Sequence, residues 1–360
     1  MKKITTLFIL FCSFILNAQT VINDANFQQA INTCLSTNPA DGMCSDTEYG
    51  AMPSWNVSAV TDMSDAFRNK FGFNGDIKDW NVSKVTNMYR MFEDATSFNQ
   101  DIGDWDVSKV TNMKGMFQDA TFFNQDIGDW DVSNVTNMGN IFMDAKNFNQ
   151  DIGNWIVSDV SQMDQMFKSA VSFNQDIGNW NTTKVTNMGG MFRDATSFNQ
   201  DVSKWDVSMV TNMQFMFDSS DFSSDNYDKL LTAWSQLTLK QAVVFTLVAV
   251  NYCNGAEARE SMITTYEWRI TDGGLDCSNL GNKDEYLSNI SIYPNPTRDK
   301  LFIQGLSNPL KVSIYNVFGK LVLAEEITSK DIDVKQLSKG IYILKIIDEQ
   351  KETVRKFIKN

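Results

Sequence analysis

The amino-acid sequence predicts an α/β repeat solenoid of seven 25-residue units followed by a small all-β sandwich. Three observations predict it. Trp55, Trp80, Trp105, Trp130, Trp155, Trp180 and Trp205 recur every 25 residues without one insertion. The words between them repeat as well: "FNQDIGDW" stands at 98–105 and 123–130, "FNQDIGNW" at 148–155 and 173–180, and looser copies at 73–80 and 198–205. Beyond residue 289 the pattern changes to short apolar runs separated by turn words. A fixed period in this range marks units that hide their apolar faces only by stacking on their neighbours.

The first element is a leader. "MKKITTLFILFCSFILNAQT" has a basic start at Lys2 and Lys3, an apolar run over Ile4–Leu16 and small residues ending at Ala18. That is the pattern of a secretory signal peptide over 1–18, cleaved near Ala18. The run is shorter than the roughly 20 residues a membrane span needs. Once it is removed, four of the five cysteines remain. An even number suits an oxidising compartment. Cys34 with Cys44 and Cys253 with Cys277 are the local pairings.

Residues 19–54 read as an N-terminal cap. "NDANFQQAINTCL" predicts a helix with Asn23 or Asp24 as its N-cap. Residues 55–229 hold the seven repeats. In the unit "WDVSKVTNMKGMFQDATFFNQDIGD" (105–129), Met113, Met116, Phe117 and Ala120 share one face at helical spacing, with Thr111 as a cap. Phe123, Gln125 and Ile127 then alternate with Asn124 and Asp126, which predicts a strand. Comparison among the units themselves marks two variable slots, Lys84/Lys109/Asn134/Asp159/Lys184/Met209 and Tyr89/Lys114/Gly139/Asp164/Gly189/Gln214, as exposed.

Two polar columns recur. Asp76, Asp101, Asp126, Asp151, Asp176 and Asp201 share one slot, and Asn74, Asn99, Asn124, Asn149, Asn174 and Asn199 another. Stacked carboxylates repel, so each Asp either accepts local turn hydrogen bonds in its "DIG" word, shares a bridging calcium, or meets a ligand. No cofactor is expected otherwise. The chain has no histidine, which excludes Ser-His-Asp and Cys-His nucleophile schemes and His-bound zinc. A glycan-hydrolysing carboxylate pair should be singular, and these are copied in every unit. Residues 55–229 carry 25 acidic and 13 basic side chains, so this region repels nucleic acid.

Residues 230–280 read as a C-terminal cap. "NYDKLLTAWSQL" and "GAEARESMITTYEW" predict helices, "VVFTLVAVNYC" and "RITDGGLDC" strands. Residues 281–288 are a polar linker. Within 289–360, "NISIY", "KLFIQ", "KVSIYN", "KLVLAEE", "GIYILKII" and "ETVRKFI" are strands at about ten-residue spacing, which predicts a small immunoglobulin-like sandwich.

The repeat core, "VTNMxxMFxDAxxFNQDI", resembles the 25–26-residue repeat of BspA-like leucine-rich-repeat bacterial surface proteins over 55–222. That resemblance implies a leucine-rich-repeat-like solenoid on an exported protein, a family often described as adhesive. The C-terminal words "YPNP" (293–296), "IYNVFGK" (314–320), "LSKGIYILKI" (337–346) and the basic "RKFIKN" resemble the type A sorting domain of the type IX secretion system. The matching positions include Pro294, Asn295, Pro296, Gly319, Lys339, Gly340 and Tyr342. The resemblance implies a Bacteroidetes-type host and recognition of 289–360 by an outer-membrane translocon. Release or anchoring to surface lipopolysaccharide then follows. The expectation is a secreted or surface-bound monomer, non-enzymatic, binding a protein or glycan through its repeats. A carboxylate-pair glycan-degrading enzyme and a passive surface spacer are the alternatives.

Overall fold

In the computed structural model, residues 20–277, 291–304, 310–316, 320–327, 331–348 and 351–360 are described. The signal peptide, the linker at 281–288 and Gly319 lie outside the described residues. No helix among the described residues is long and apolar enough to cross a membrane. The chain divides into two compact units, Met1–Asp276 and Cys277–Asn360.

The first unit is organised around the repeats. The column residues of each repeat, such as Trp105, Val107, Met113 and Phe117 in the third, are buried in one continuous cluster that runs from Ile22 to Trp268. Ring columns show the register. Phe67, Phe92, Phe117, Phe142, Phe167, Phe192 and Phe217 stack in series with centroids 5.3–5.8 Å apart. A second series, Phe73 to Phe198, has spacings of 6.0–6.1 Å. The two columns touch within each unit, as in Phe117–Phe123 at 3.9 Å. Offset stacking of this kind is favourable for aromatic rings. From Trp80 onward each repeat indole donates to a carbonyl 28 residues back, more than one full unit: Trp130 Nε1 reaches that of Ile102 at 3.1 Å and Trp155 Nε1 that of Ile127 at 3.0 Å. A buried indole N–H therefore finds its acceptor only when the next unit is in register.

The backbone departs from the expected helix-plus-strand unit. Residues 113–120 bury the expected face but form successive tight turns, not a helix. Every second N–H crosses to the following unit: Met113, Gly115, Phe117 and Asp119 donate to the carbonyls of Asn137, Gly139, Ile141 and Met143 at 2.7–3.1 Å. The alternate residues Met116, Gln118 and Ala120 donate three residues back, to Met113, Gly115 and Phe117. An α-helix needs those N–H groups for its own carbonyls four residues back. Left-handed residues break the run twice per unit, at Gly115 (φ 65°) and Asp119 (φ 58°) here. Thr111 caps nothing; its N–H and hydroxyl both donate to the Thr86 carbonyl.

The expected strand at 123–127 is also absent: Phe123 and Ile127 are buried, but Gln125 is only half-buried, like Asn124 beside it. Parallel bridges fall instead on Asp62, Asn87, Asn112, Asn137, Gln162, Asn187 and Asn212, each paired with the next. At 124 and 125 side chains take over the neighbour's backbone groups, so no backbone ladder forms there (below). The first variable slot is exposed in all six units, but the second is mostly half-buried and Gly139 is buried. A Cβ on Gly139 would lie 2.9 Å from the Asp164 carboxylate, so side chains of adjoining units fold over that slot.

Helix α1 (Phe27–Thr37) covers the first repeat, with Phe27 edge-on to Trp80 at 5.8 Å. Neither expected residue is its N-cap; Asn26 holds that position without a side-chain cap bond. Asp24 is committed elsewhere, accepting from the N–H groups of Thr61 and Asp62 and from the Thr61 hydroxyl at 2.7–3.2 Å. Cys34 and Cys44 form a disulfide. At the other end, α2 (Ser224–Trp234), β1 (Val244–Leu247), α3 (Ala256–Tyr266) and β2 (Arg269–Asp272) follow, with β1 and β2 parallel. The Met213–Phe245 bridge joins β1 to the last repeat. Trp234 is fully buried. Cys253 and Cys277 are both disulfide-bonded.

The second unit has two antiparallel sheets over one apolar cluster that includes Leu301, Ile314, Ile332, Leu344 and Phe357. One sheet orders β3 (Ser291–Tyr293), β4 (Lys300–Gln304) and β7 (Asp331–Asp333) as β3-β4-β7. The other orders β5 (Leu310–Asn316), β6 (Leu321–Ile327), β8 (Gly340–Asp348) and β9 (Lys351–Lys359) as β6-β5-β8-β9. Strand β7 escapes the sequence pattern because "DID" offers a single apolar residue, Ile332, to the core.

Candidate binding surface

The six aspartates of the recurrent column are all exposed. Each uses one carboxylate oxygen to hold its own turn. Asp101, Asp126, Asp151 and Asp176 accept from the N–H of Gly103, Gly128, Gly153 and Gly178 at 2.9–3.1 Å. Asp76 accepts from Lys78 N–H at 3.2 Å and Asp201 from Ser203 N–H at 3.0 Å. Burial opposes ionisation of Asp201, but the Ser203 bonds and the Lys229 ammonium outweigh it and lower its pKa. The glycines have a separate reason. A Cβ on Gly103, Gly128, Gly153 or Gly178 would lie 2.4–2.7 Å from the carbonyl oxygen of the following unit's aspartate. Only glycine permits that approach.

The asparagine column works between units. Asn74, Asn99, Asn124, Asn149 and Asn174 each accept, through Oδ1, the N–H of the asparagine one unit later at 2.9–3.0 Å. Gln125, Gln150, Gln175 and Gln200 donate back to the preceding Asn carbonyl at 2.9–3.1 Å. The C-terminal cap closes the series: Ser223 N–H and Asn226 Nδ2 bond Asn199 in place of a further repeat.

A further acidic column was missed by the sequence reading. Asp94, Asp119, Asp144 and Asp194 occupy the second left-handed slot, with φ of 56–60°. The repeated "DA" word carries the signal, since Asp tolerates this conformation better than most residues. Burial, and then the neighbouring Asp119 charge, push the carboxyls of Asp94 and Asp144 above the usual carboxylate range.

One acid in the repeats is singular. Glu93 is buried between two guanidiniums, with Arg90 Nε at 3.0 Å and Arg68 Nε at 3.3 Å. Burial raises its pKa against the pull of both arginines. The Arg68 pair joins the first repeat to the second while the Arg90 pair lies within the second, and together they occupy the carboxylate a catalytic acid would need free. Among the described residues, no group of three or more His, Cys, Asp or Glu is placed to hold a metal ion.

In the second unit, Asn295 ties the "YPNP" segment to β9: its Nδ2 donates to the Lys356 carbonyl at 3.1 Å and its Oδ1 accepts from Ile358 N–H at 2.9 Å. Pro294, Pro296 and Lys339 are exposed. Tyr342 stacks on Phe357 at 5.5 Å and donates its hydroxyl to the Ser338 carbonyl. Gly340 does not supply a turn conformation; it opens β8 opposite Lys359, and a Cβ there would meet only the Tyr342 ring at 3.8 Å. Three of the sorting words therefore meet on β8 and β9, and "IYNVFGK" begins on β5, which pairs with β8.

Comparison with known proteins adds the following. A family model described as "Mycoplasma protein of unknown function, DUF285" matches residues 40–150 and 123–234, together more than half of the 360 residues. A second, described as a secretion system C-terminal sorting domain, matches 291–360. A 69-residue stretch, 19% of this chain, is 38% identical to beta-agarase D of Zobellia galactanivorans, and the chain spans 14% of that relative's length. A solved structure of PorZ, an essential bacterial surface component of the type-IX secretion system of Porphyromonas gingivalis, aligns over 22% of this chain and 12% of its own. The identity is 22% and the TM-score 0.20.

Proposed function

The chain belongs to the DUF285 family and ends in a secretion-system C-terminal sorting domain, and on that premise we propose that it is an exported, non-enzymatic binding protein. Its repeats are read as a BspA-like, leucine-rich-repeat-like solenoid of seven units between two caps. Its C-terminal module is read as an immunoglobulin-like sandwich addressed to the type IX translocon. The protein then acts at the outer surface or in the surroundings of a Bacteroidetes-type cell, as a monomer. The repeats present the ligand-binding face.

The observation that carries this reading is the fate of the polar columns. Their aspartates, asparagines and glutamines are copied from unit to unit and spent on holding turns and joining neighbours. Of the buried acids, Glu93 is held by two arginines and Asp228 by the N–H groups of Cys253, Asn254 and Gly255. Chemistry needs a distinct and available pair; a repeated surface needs neither.

Two experiments test it. The purified protein is presented to arrays of matrix proteins and polysaccharides, with reducing-end release followed in parallel. Retention without release is expected, and turnover abolished by one Asp→Asn change would overturn the reading. In cells, a chain lacking 289–360 is expected to stay in the periplasm; surface delivery of that truncation would contradict the sorting role.

A further inference from the structure

The sixth repeat carries two adjacent glycines at a turn where every other repeat has at least one side chain. Gly189 and Gly190 stand where other units place Tyr89–Arg90, Lys114–Gly115, Gly139–Asn140, Asp164–Gln165 and Gln214–Phe215. A notch of about 210 Å³ opens beside them, with the Asn212 amide on its floor, Nδ2 2.5 Å from where a Cβ on Gly189 would stand. Its walls are Asp164 and Gln165 of the unit before and Gln214 and Phe215 of the unit after, with Arg193 beside Phe215. The flanking units are two strand spacings apart, about 9–10 Å. That width admits one saturated six-membered ring.

Phe215 is the second observation. It sits in the left-handed region at φ 57°, held there by its N–H donating to the Thr246 hydroxyl at 2.5 Å. The same slot elsewhere carries Gly, Asn, Asp, Gln or Arg. A bulky aromatic in this conformation is strained. Packing gives no compensation, because the ring is 43% exposed. Its visible partner is the Arg193 guanidinium, 5.3 Å from the ring centroid, which fixes the ring's place at the mouth of the notch. Strain kept at an exposed aromatic beside a cavity is the mark of a binding platform.

We propose that this notch is a subsite for one pyranose ring of a neutral glycan. It rests on the reading of the repeats as a binding surface and names the ligand class for it. A pyranose has an apolar C–H face, which suits Phe215, and a rim of hydroxyls that donate and accept. Asp164 supplies acceptors, Arg193 donors, and the Gln165 and Gln214 amides both. One acid and one base balance each other within the notch. The surrounding acidic repeats disfavour sulfated or carboxylated sugars.

The test uses the full mature chain and a panel of neutral hexaoses (β-1,3-glucan, β-1,4-glucan, β-mannan and β-galactan), titrated calorimetrically. Gly190→Asn fills the notch with a residue that the fourth unit already holds at φ 59°. Phe215→Asn removes the platform and relieves the strained backbone. Both variants are expected to weaken binding of the preferred hexaose by at least about tenfold, or 1.4 kcal/mol. Gly190→Asn should lower the melting temperature slightly, because its Cβ would stand 3.3 Å from Gln165 Cγ at a left-handed position, whereas Phe215→Asn should hold or raise it. Undiminished binding by both variants would place the glycan elsewhere on the repeats and overturn this site while leaving the binding function intact. Absence of binding to any hexaose, with capture of a matrix protein on the array, would overturn the glycan assignment alone.

Discussion

Removing one ring from the middle of the Phe columns should cost more than removing any other single side chain of similar size. Phe142 is fully buried. It lies 3.8 Å from Phe148 within its own unit, 5.8 Å from Phe117 below, 5.7 Å from Phe167 above and 6.2 Å from Trp155. Phe→Ala in a core costs about 3–5 kcal/mol, and the figure rises when the walls cannot collapse. Here they cannot easily collapse, because Phe117 and Phe167 are each held by their own columns and by inter-unit backbone bonds. The expected loss for Phe142→Ala is therefore about 4–5 kcal/mol. Phe222 ends the column with one ring partner, Phe217 at 4.1 Å, so Phe222→Ala should cost about 3 kcal/mol or less. Phe122, 56% exposed, serves as the control, within about 0.5 kcal/mol of wild type. Urea titration read by near-ultraviolet circular dichroism measures all three. A Phe142→Ala loss under about 1 kcal/mol, or one equal to that of Phe122→Ala, would refute the stacked-column account.

Further outcomes follow from the same geometry. Gly128→Ala forces a methyl to 2.6 Å from the Asp151 carbonyl, so the units must part locally, and a loss of about 2 kcal/mol in the same titration is expected. Asn124→Ala leaves the half-buried Asn149 N–H without its acceptor and should cost about 1–2 kcal/mol, whereas Asp126→Asn, which keeps an acceptor for Gly128 N–H, should be near neutral and chelator should not shift its melting point. Asp144 has its folded pKa raised by burial and by Asp119: as pH falls from neutrality through that raised value towards 3.8, the folded chain takes the proton before the unfolded one and gains stability. Asp144→Asn should thus raise the melting temperature at pH 7 and flatten this gain. Asp24 runs the other way: burial opposes ionisation, but Thr61 and Asp62 hold its pKa low, so its contribution is present above pH 3.8 and lost as pH falls through the depressed folded value, and Asp24→Asn should remove that acid-side loss.

The sequence by itself determined which residues are inside. Met113, Met116, Phe117 and Ala120 are buried together, Phe123 and Ile127 join them, and the six Asp of the recurrent column stay outside. It determined the cap helices and six of the second unit's seven strands as well, because an apolar side chain's period is a property of the chain and survives whatever backbone satisfies it. It did not reveal how the backbone pays for its own hydrogen bonds. The same i, i+3, i+4, i+7 spacing serves an α-helix and a run of turns with two left-handed residues, and what separates them is whether the N–H of Gly115 or Asp119 has a carbonyl 24 residues later to reach. That partner exists only once the next unit has docked. For the same reason the notch at Gly189–Gly190 cannot be seen in one repeat: it is the space between units five and seven, and only packing brings Asp164, Arg193 and Phe215 to its edges.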